Sequence, residues 1–217
     1  MGQLNFTTDE LNERLDYYSK NTFFTKDGDN IQAKLDALTF GQVLLIGPNP
    51  DTAYSGFNFS SAINNITVQG LTNWNGSSYP AAITGNVSIS GTGLRFRLQN
   101  LQINGTFTIS NAGSNWVTEM FFGGVCDYSG ISGFTQNYRV TYASAVVGSP
   151  LALFIECSTP LAANLPTVAL SGSYMFVNQT NTWHFWSGSS WTNSGANNWP
   201  DAVEKLKFTQ TTIDSGN

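Results

Sequence analysis

The sequence predicts a mainly β fold in which successive coils of the chain stack into a solenoid. Apolar residues occur in pairs separated by one residue, and successive pairs begin 22, 21 and 20 residues apart. The pairs are Leu44 and Ile46, Ile66 and Val68, Val87 and Ile89, and Phe107 and Ile109. Polar residues alternate with these pairs, which is typical of half-buried strands. A constant offset of this size indicates coils that must stack on one another to bury their apolar faces.

Glycines and composition agree with this prediction. Gly47, Gly70 and Gly91 each follow a pair by one or two residues, where a sharp turn favours glycine. Only 11% of the 217 residues are charged, against about 25% in a typical globular protein, and Asn, Ser, Thr and Gly take their place. The length fits one elongated domain, and the net charge of -5 argues against nucleic-acid binding, which needs clustered Lys and Arg.

Residues 1–41 form a predicted helical segment for capping or attachment. Thr7 and Glu10 have the spacing of a capping box that starts one helix. The apolar face of this helix comprises Leu11, Leu15 and Tyr18. A second short helix is predicted from Asp29 or Asn30 to Gly41. Its apolar face comprises Ile31, Leu35 and Leu38.

From Gln42 onward the pattern is all β, with short strands bounded by Asn, Gly and Ser turns. Residues 42–160 are predicted to form the coils, and residues 161–217 a less regular β region with a Trp-rich tip. No constant offset follows Ile109, so either the coils become irregular or the solenoid gives way to another β fold.

Cysteine content and the amino-terminal sequence indicate the compartment in which the protein is made. Cys126 and Cys157 are too few for a disulfide scaffold and are either one disulfide or two buried thiols. Residues 1–9 lack the basic and then apolar run of a signal peptide, and no apolar run approaches the length of a membrane span. We therefore expect synthesis in a cytoplasm and no membrane insertion.

Three segments, Asp27–Leu38, Gly41–Ile46 and Ile63–Gly70, resemble the entry to pectate-lyase-like right-handed β-helices, a family that includes bacteriophage tailspikes. The shared features are an acidic glycine turn, a capping helix of the Ile-Gln-Ala kind, a first strand and an Asn-Ile-Thr-Val-x-Gly coil. The resemblance covers residues 27–70. It implies a right-handed, trimeric β-helix of a phage tail fibre or spike, made in the host cytoplasm, joined to other tail proteins and attached to a host glycan or protein.

Enzymes of this family cleave polysaccharides, so the resemblance also raises a depolymerase as the alternative. A glycoside hydrolase needs two carboxylates about 5 to 10 Å apart. The weak catalytic candidates are Glu119, Asp127 and Glu156, and no local motif pairs them. The Asp-Asp, Gly-His-Gly and Arg-Ile-Lys motifs of polygalacturonases and the acidic calcium cluster of the lyases are missing, so we expect no metal and no cofactor.

The Trp-rich tail is the predicted receptor- or glycan-binding region. Its candidates are Trp183, His184, Trp186, Trp191 and Trp199. Aromatic rings stack on the apolar faces of sugars, and the surrounding Asn, Ser and Thr can bond sugar hydroxyls. Trp191 is expected on an exposed loop. Alternatively, these side chains pack the end of the fibre or a subunit interface, in which case the protein is a purely structural virion component.

Overall fold

The computed structural model describes residues 20–25, 29–47, 54–71, 81–93 and 95–198. In these residues the chain forms a β-solenoid of about seven turns, which confirms the predicted fold class at this level. Each regular coil contributes one strand to each of three parallel sheets. None of the described helices is long and apolar enough to span a membrane.

Strands are numbered in chain order. Sheet 1 contains β1 (Thr22–Thr25), β2 (Val43–Ile46), β4 (Thr67–Gly70), β7 (Phe96–Gln99), β10 (Asn115–Thr118), β13 (Thr135–Tyr138) and β16 (Ala152–Ile155). Sheet 2 contains β5 (Ala82–Ile83), β8 (Gln102–Ile103), β11 (Phe121–Phe122), β14 (Thr141–Tyr142), β17 (Cys157–Thr159), β18 (Tyr174–Val177), β19 (Thr182–Trp186) and β20 (Trp191–Asn193). Sheet 3 contains β3 (Phe57–Phe59), β6 (Val87–Ile89), β9 (Phe107–Ile109), β12 (Cys126–Asp127) and β15 (Val146–Val147).

The register corrects the repeat that the sequence pattern indicated. Leu44 pairs with Val68 in sheet 1, not with Ile66, whereas Val87 and Phe107 pair in sheet 3. The four apolar pairs therefore belong to two sheets. The regular row continues past Ile109, at offsets of 20, 19 and 20 residues. Its members are Val87, Phe107, Cys126 and Val146. The expectation that the repeat ends near Ile109 is wrong.

The repeat is hidden after residue 110 because polar residues occupy interior positions. Asn115, Thr135 and Asn137 are fully buried and face the interior of sheet 1. The side-chain amides of Asn111 and Asn115 bond each other at 2.9 and 2.7 Å, and Asn115 also donates to Thr135 Oγ1 at 3.2 Å. Buried amides and hydroxyls are tolerated when their partners are supplied in this way.

A column of glycines forms the corner between sheets 2 and 3. Gly85, Gly105 and Gly124 follow one another in successive coils. A Cβ atom on Gly105 would lie 2.3 Å from the carbonyl oxygen of Gly85, and one on Gly124 would lie 2.3 Å from that of Gly105. No side chain fits between backbones this close, so the coils at Gly105 and Gly124 require glycine at this corner.

Helix α1 spans Ile31–Asp36 and begins at Asn30, whose side chain accepts a hydrogen bond from the Ala33 amide at 3.1 Å. Ile31, Leu35 and Leu38 are buried in the solenoid core, as the apolar spacing predicts. The Gln32 side chain donates to the Asn58 carbonyl at 3.0 Å and accepts from its amide at 2.7 Å, as a neighbouring strand would. The helix predicted after Thr7 lies outside the described residues.

The carboxyl-terminal strands change direction. A 3-10 turn at Ala162–Asn164 follows β17, and β18 still pairs with β17 in parallel. Strand β19 then pairs antiparallel with β18, and β20 antiparallel with β19.

Candidate functional site

The tryptophan-rich segment forms the β19–β20 hairpin, and most of its predicted binding residues point into the protein. His184 and Trp186 are each 6% exposed. Trp191 lies on β20 rather than on an exposed loop, and its indole Nε1 donates to the Pro166 carbonyl at 2.7 Å. Its ring meets that of Trp186 edge-on at 5.6 Å. Trp199 lies outside the described residues.

The buried environment of His184 also shows that its side chain points inward. Burial lowers the pKa of its imidazole, partly opposed by the Thr182 carbonyl 3.4 Å from Nδ1. A neutral ring packed at the end of the core is the state this environment favours.

Trp183 differs from Trp186 and Trp191 of the same hairpin because it points to the opposite face of β19. It is partly exposed and packs against Phe176 at 5.3 Å and Tyr174 at 5.9 Å between ring centroids. Phe185 and Ala196 complete this second, smaller apolar cluster. An indole held between two other rings is fixed in orientation and still offers part of its surface to a ligand.

Trp183 is the last of five partly exposed side chains that lie side by side on adjacent strands of sheet 2. They are here called the aromatic–hydroxyl row. Its members, each paired with the next across adjacent strands, are Phe121, Thr141, Ser158, Phe176 and Trp183. The hydroxyl oxygens of Thr141 and Ser158 are 3.1 Å apart. Four strand spacings of ~4.8 Å give the row a length of about 19 Å. Apolar rings at the ends and hydroxyls in the middle match the apolar faces and hydroxyl groups of a sugar chain.

The acidic candidates are split between two places. Glu119 and Glu156 follow β10 and β16 at the corner between sheets 1 and 2, where each has a left-handed backbone, with φ of 52° and 51°. Arg139 occupies the same corner position in the coil between them, with φ of 54°. Asp127 lies on sheet 3, where its Oδ1 accepts from the amide and hydroxyl of Ser129 at 2.9 and 2.6 Å.

The geometry of the corner favours an ion pair more than an acid–base pair. Arg139 Nε donates to Glu156 Oε2 at 2.8 Å, and this carboxylate raises the pKa of the guanidinium. Glu119 and Glu156 are two coils apart, which is roughly 10 Å between their backbones. The Glu156 carboxylate therefore lies against a guanidinium rather than against a second carboxyl group.

Neither a disulfide nor a cluster of metal-ligating side chains occurs in the described residues. Cys126 and Cys157 are both free thiols buried in the core. Burial raises the pKa of Cys157 to about 12 and raises that of Cys126 as well. Within the described ranges there is no group of three His, Cys, Asp or Glu side chains that could hold a metal ion.

Four members of the aromatic–hydroxyl row were not candidates from the sequence. Phe121, Thr141, Ser158 and Phe176 come from four different coils or strands, and no local motif joins them. The signal that could have found them is the offset of 19 and 20 residues between Ile103, Phe122 and Tyr142 on the inner side of the same strands. Comparison with family models, curated proteins and solved structures finds no match to this chain.

Proposed function

We propose that this protein is a tail-fibre or tailspike component of a bacteriophage virion that attaches to a glycan on the host surface. The observation that carries the proposal is the aromatic–hydroxyl row, an extended and uncharged surface held rigidly by five strands. The resemblance of residues 27–70 to the entry of phage β-helices supports the virion setting. The lack of charged side chains in the aromatic–hydroxyl row supports a hydroxyl-rich, uncharged stretch of glycan at that surface more than a protein partner of high charge.

The finer architecture belongs to the same proposal. The solenoid is right-handed, the α1 helix caps its first coil through Gln32 and Asn58, and three copies assemble into one fibre. Three parallel copies of a weak glycan site would raise the avidity of attachment without any new contact. Other virion tail proteins hold the fibre on the particle.

Binding to purified host surface polysaccharide, measured together with its chain length, tests the proposal. We expect Trp183→Leu and Thr141→Val each to weaken binding by about fivefold or more, because each removes one stacking or hydrogen-bonding group. Thr108→Val is the matched control, because Thr108 is also a partly exposed threonine on a strand but lies on sheet 3. Equal effects of the Thr141 and Thr108 substitutions would contradict attachment through sheet 2.

A depolymerase is the second candidate, and the shared corner of Glu119 and Glu156 is the observation that favours it. Cleavage would be supported if the unsubstituted protein shortens the polysaccharide chains and the Glu156→Gln variant leaves them at full length. Unchanged chains together with binding would exclude cleavage of that polysaccharide. A purely structural virion component is favoured by the burial of Trp186 and His184, and it predicts no polysaccharide binding at all.

A further inference from the structure

Two of the three arginines in the nearly neutral middle of the chain lie together beside sheet 1. Arg97 lies on β7, and Arg95, whose backbone is left-handed with φ of 64°, immediately precedes that strand. Both are exposed, and the extended residue between them puts their Cα atoms about 7 Å apart. Arg97 lies between Thr67 and Trp116 in the register of the sheet. The residues paired with it are therefore uncharged.

Neither arginine has a carboxylate partner among the described residues. The two ion pairs there join Lys34 to Asp29 and Arg139 to Glu156. Along β10 the next acid is Glu119, three residues beyond Trp116, or about 10 Å along the strand. Two arginines this close in the chain, without a counterion in the part of the chain that the structure describes, favour an anion from outside.

Trp116 prepares Arg97 for such a contact. The Arg97 Cζ atom lies 5.6 Å from the centre of the Trp116 ring, so the guanidinium is stacked and partly fixed in orientation. A planar donor group that is already oriented loses less freedom when it binds an oxyanion. Gln136 is paired with Trp116 on the far side. Two residues along β7 from Arg97, the Gln99 side chain donates to Gln69 at 2.7 Å.

We propose that Arg95, Arg97 and Trp116 form a site for a phosphate group carried by the host glycan. The two guanidiniums donate to different phosphate oxygens, and the Trp116 ring contacts the adjoining sugar or polyol. Phosphate fits better than carboxylate because its tetrahedral oxygens diverge, so two separated arginines can each contact a different oxygen of one group, whereas the two oxygens of a carboxylate lie close together in one plane. The ligand class rests on the proposed function, but the site is separate from the aromatic–hydroxyl row.

Calorimetric titration with a glycerol phosphate hexamer at low ionic strength tests the site. We expect Arg97→Gln and Arg95→Gln each to weaken binding about tenfold or more, since each removes charged hydrogen bonds. The matched control is Arg139→Gln, because Arg139 already has Glu156 as partner, and its effect should stay below about twofold. Raising the salt concentration should weaken binding of the unsubstituted protein as well.

Other probes separate the alternatives. Equal or tighter binding of an oligoglucuronate would overturn phosphate in favour of a carboxylate, and equally tight binding of a short oligothymidylate would overturn a glycan in favour of nucleic acid. Equal losses with Arg97→Gln and Arg139→Gln would also overturn the site. If Trp183→Leu weakens polysaccharide binding but Arg97→Gln does not weaken binding of the phosphate probe, attachment stands and the phosphate site is removed. If Arg97→Gln weakens binding of the phosphate probe but Trp183→Leu does not weaken polysaccharide binding, attachment through sheet 2 is removed and the phosphate site stands.

Discussion

The buried tyrosine pair gives the sharpest prediction because one chemical change can be made at two positions with different consequences. Tyr128 and Tyr142 are both fully buried. The Tyr128 hydroxyl donates to Asn137 Oδ1 at 2.8 Å, so its proton is not available to Tyr142. The Tyr142 hydroxyl, 3.0 Å away, must therefore donate to the oxygen of Tyr128. The three side chains form a directed chain from Tyr142 through Tyr128 to Asn137.

This direction decides the cost of each Tyr→Phe substitution. In Tyr142→Phe the Tyr128–Asn137 bond remains, so the loss is that of one hydrogen bond, about 1 kcal/mol. In Tyr128→Phe the Tyr142 donor and the Asn137 Oδ1 acceptor both lose this partner. At about 1 to 3 kcal/mol for each of these two buried groups left unpaired, the loss is roughly 2 to 6 kcal/mol. For a chain of this size, 1 kcal/mol corresponds to about 2 to 4 °C in Tm.

Thermal and urea unfolding of the two variants, followed by circular dichroism, measures this difference. We expect Tyr128→Phe to lower Tm by roughly twice or more as much as Tyr142→Phe, and the double variant to lie close to Tyr128→Phe because the second loss is then partly relieved. Equal losses, or a larger loss with Tyr142→Phe, would refute the assigned direction of the hydrogen bonds.

Three further predictions concern the corner, the thiols and the histidine. Gly105→Ala should cost about 3 kcal/mol of unfolding free energy, because its Cβ would lie 2.3 Å from the Gly85 carbonyl oxygen. Gly123→Ala, whose Cβ meets a side-chain oxygen at 3.1 Å, should cost clearly less in the same urea titration, and equal losses would contradict the role of the glycine column. Cys126 and Cys157 should react with a thiol reagent at pH 8 only on the timescale of unfolding, because burial raises the pKa of both thiols, and fast labelling of the folded protein would disprove this. Because burial lowers the pKa of His184, the neutral ring contributes stability above its ordinary pKa of 6.5 and this contribution falls as the pH drops below it, so Tm should fall less at acid pH in His184→Gln than in the unsubstituted protein.

The sequence predicted the fold class because aliphatic residues fill the first coils. Leu44, Val68 and Leu98 stack inside sheet 1 and are visible to any search for alternating apolar residues. In the next coils the same column holds Val117, then Asn137, and a pattern of apolar pairs ends there although the column does not. Polar residues are stable at such positions only through partners in other coils, which a local pattern cannot show. Helix α1 was predictable because its cap and its apolar face are both local.

The surface proposed to bind glycan was less predictable because tryptophan content does not show which way a ring points. Alternation along β19 indicates that Trp183 and Trp186 occupy opposite faces, but not which face is the core. The structure settles the direction through β18, whose Met175 and Val177 are buried and pair with His184 and Thr182. Trp186 follows His184 inward, and Trp183 is left outside.

The reversal of direction after β18 also favours the lateral surface as the place where we propose that binding occurs. A further parallel strand would require a full coil to return to the same sheet, whereas the turn ending at Asn181 returns the chain at once. The antiparallel hairpin therefore covers the last coil with three aromatic side chains that pack at the end of the core, namely His184, Trp186 and Trp191. Along the sides, by contrast, outward side chains of neighbouring coils stand about 4.8 Å apart in straight rows. Residues that act together in such a row lie about 20 positions apart in the chain, so they share a function without forming any motif.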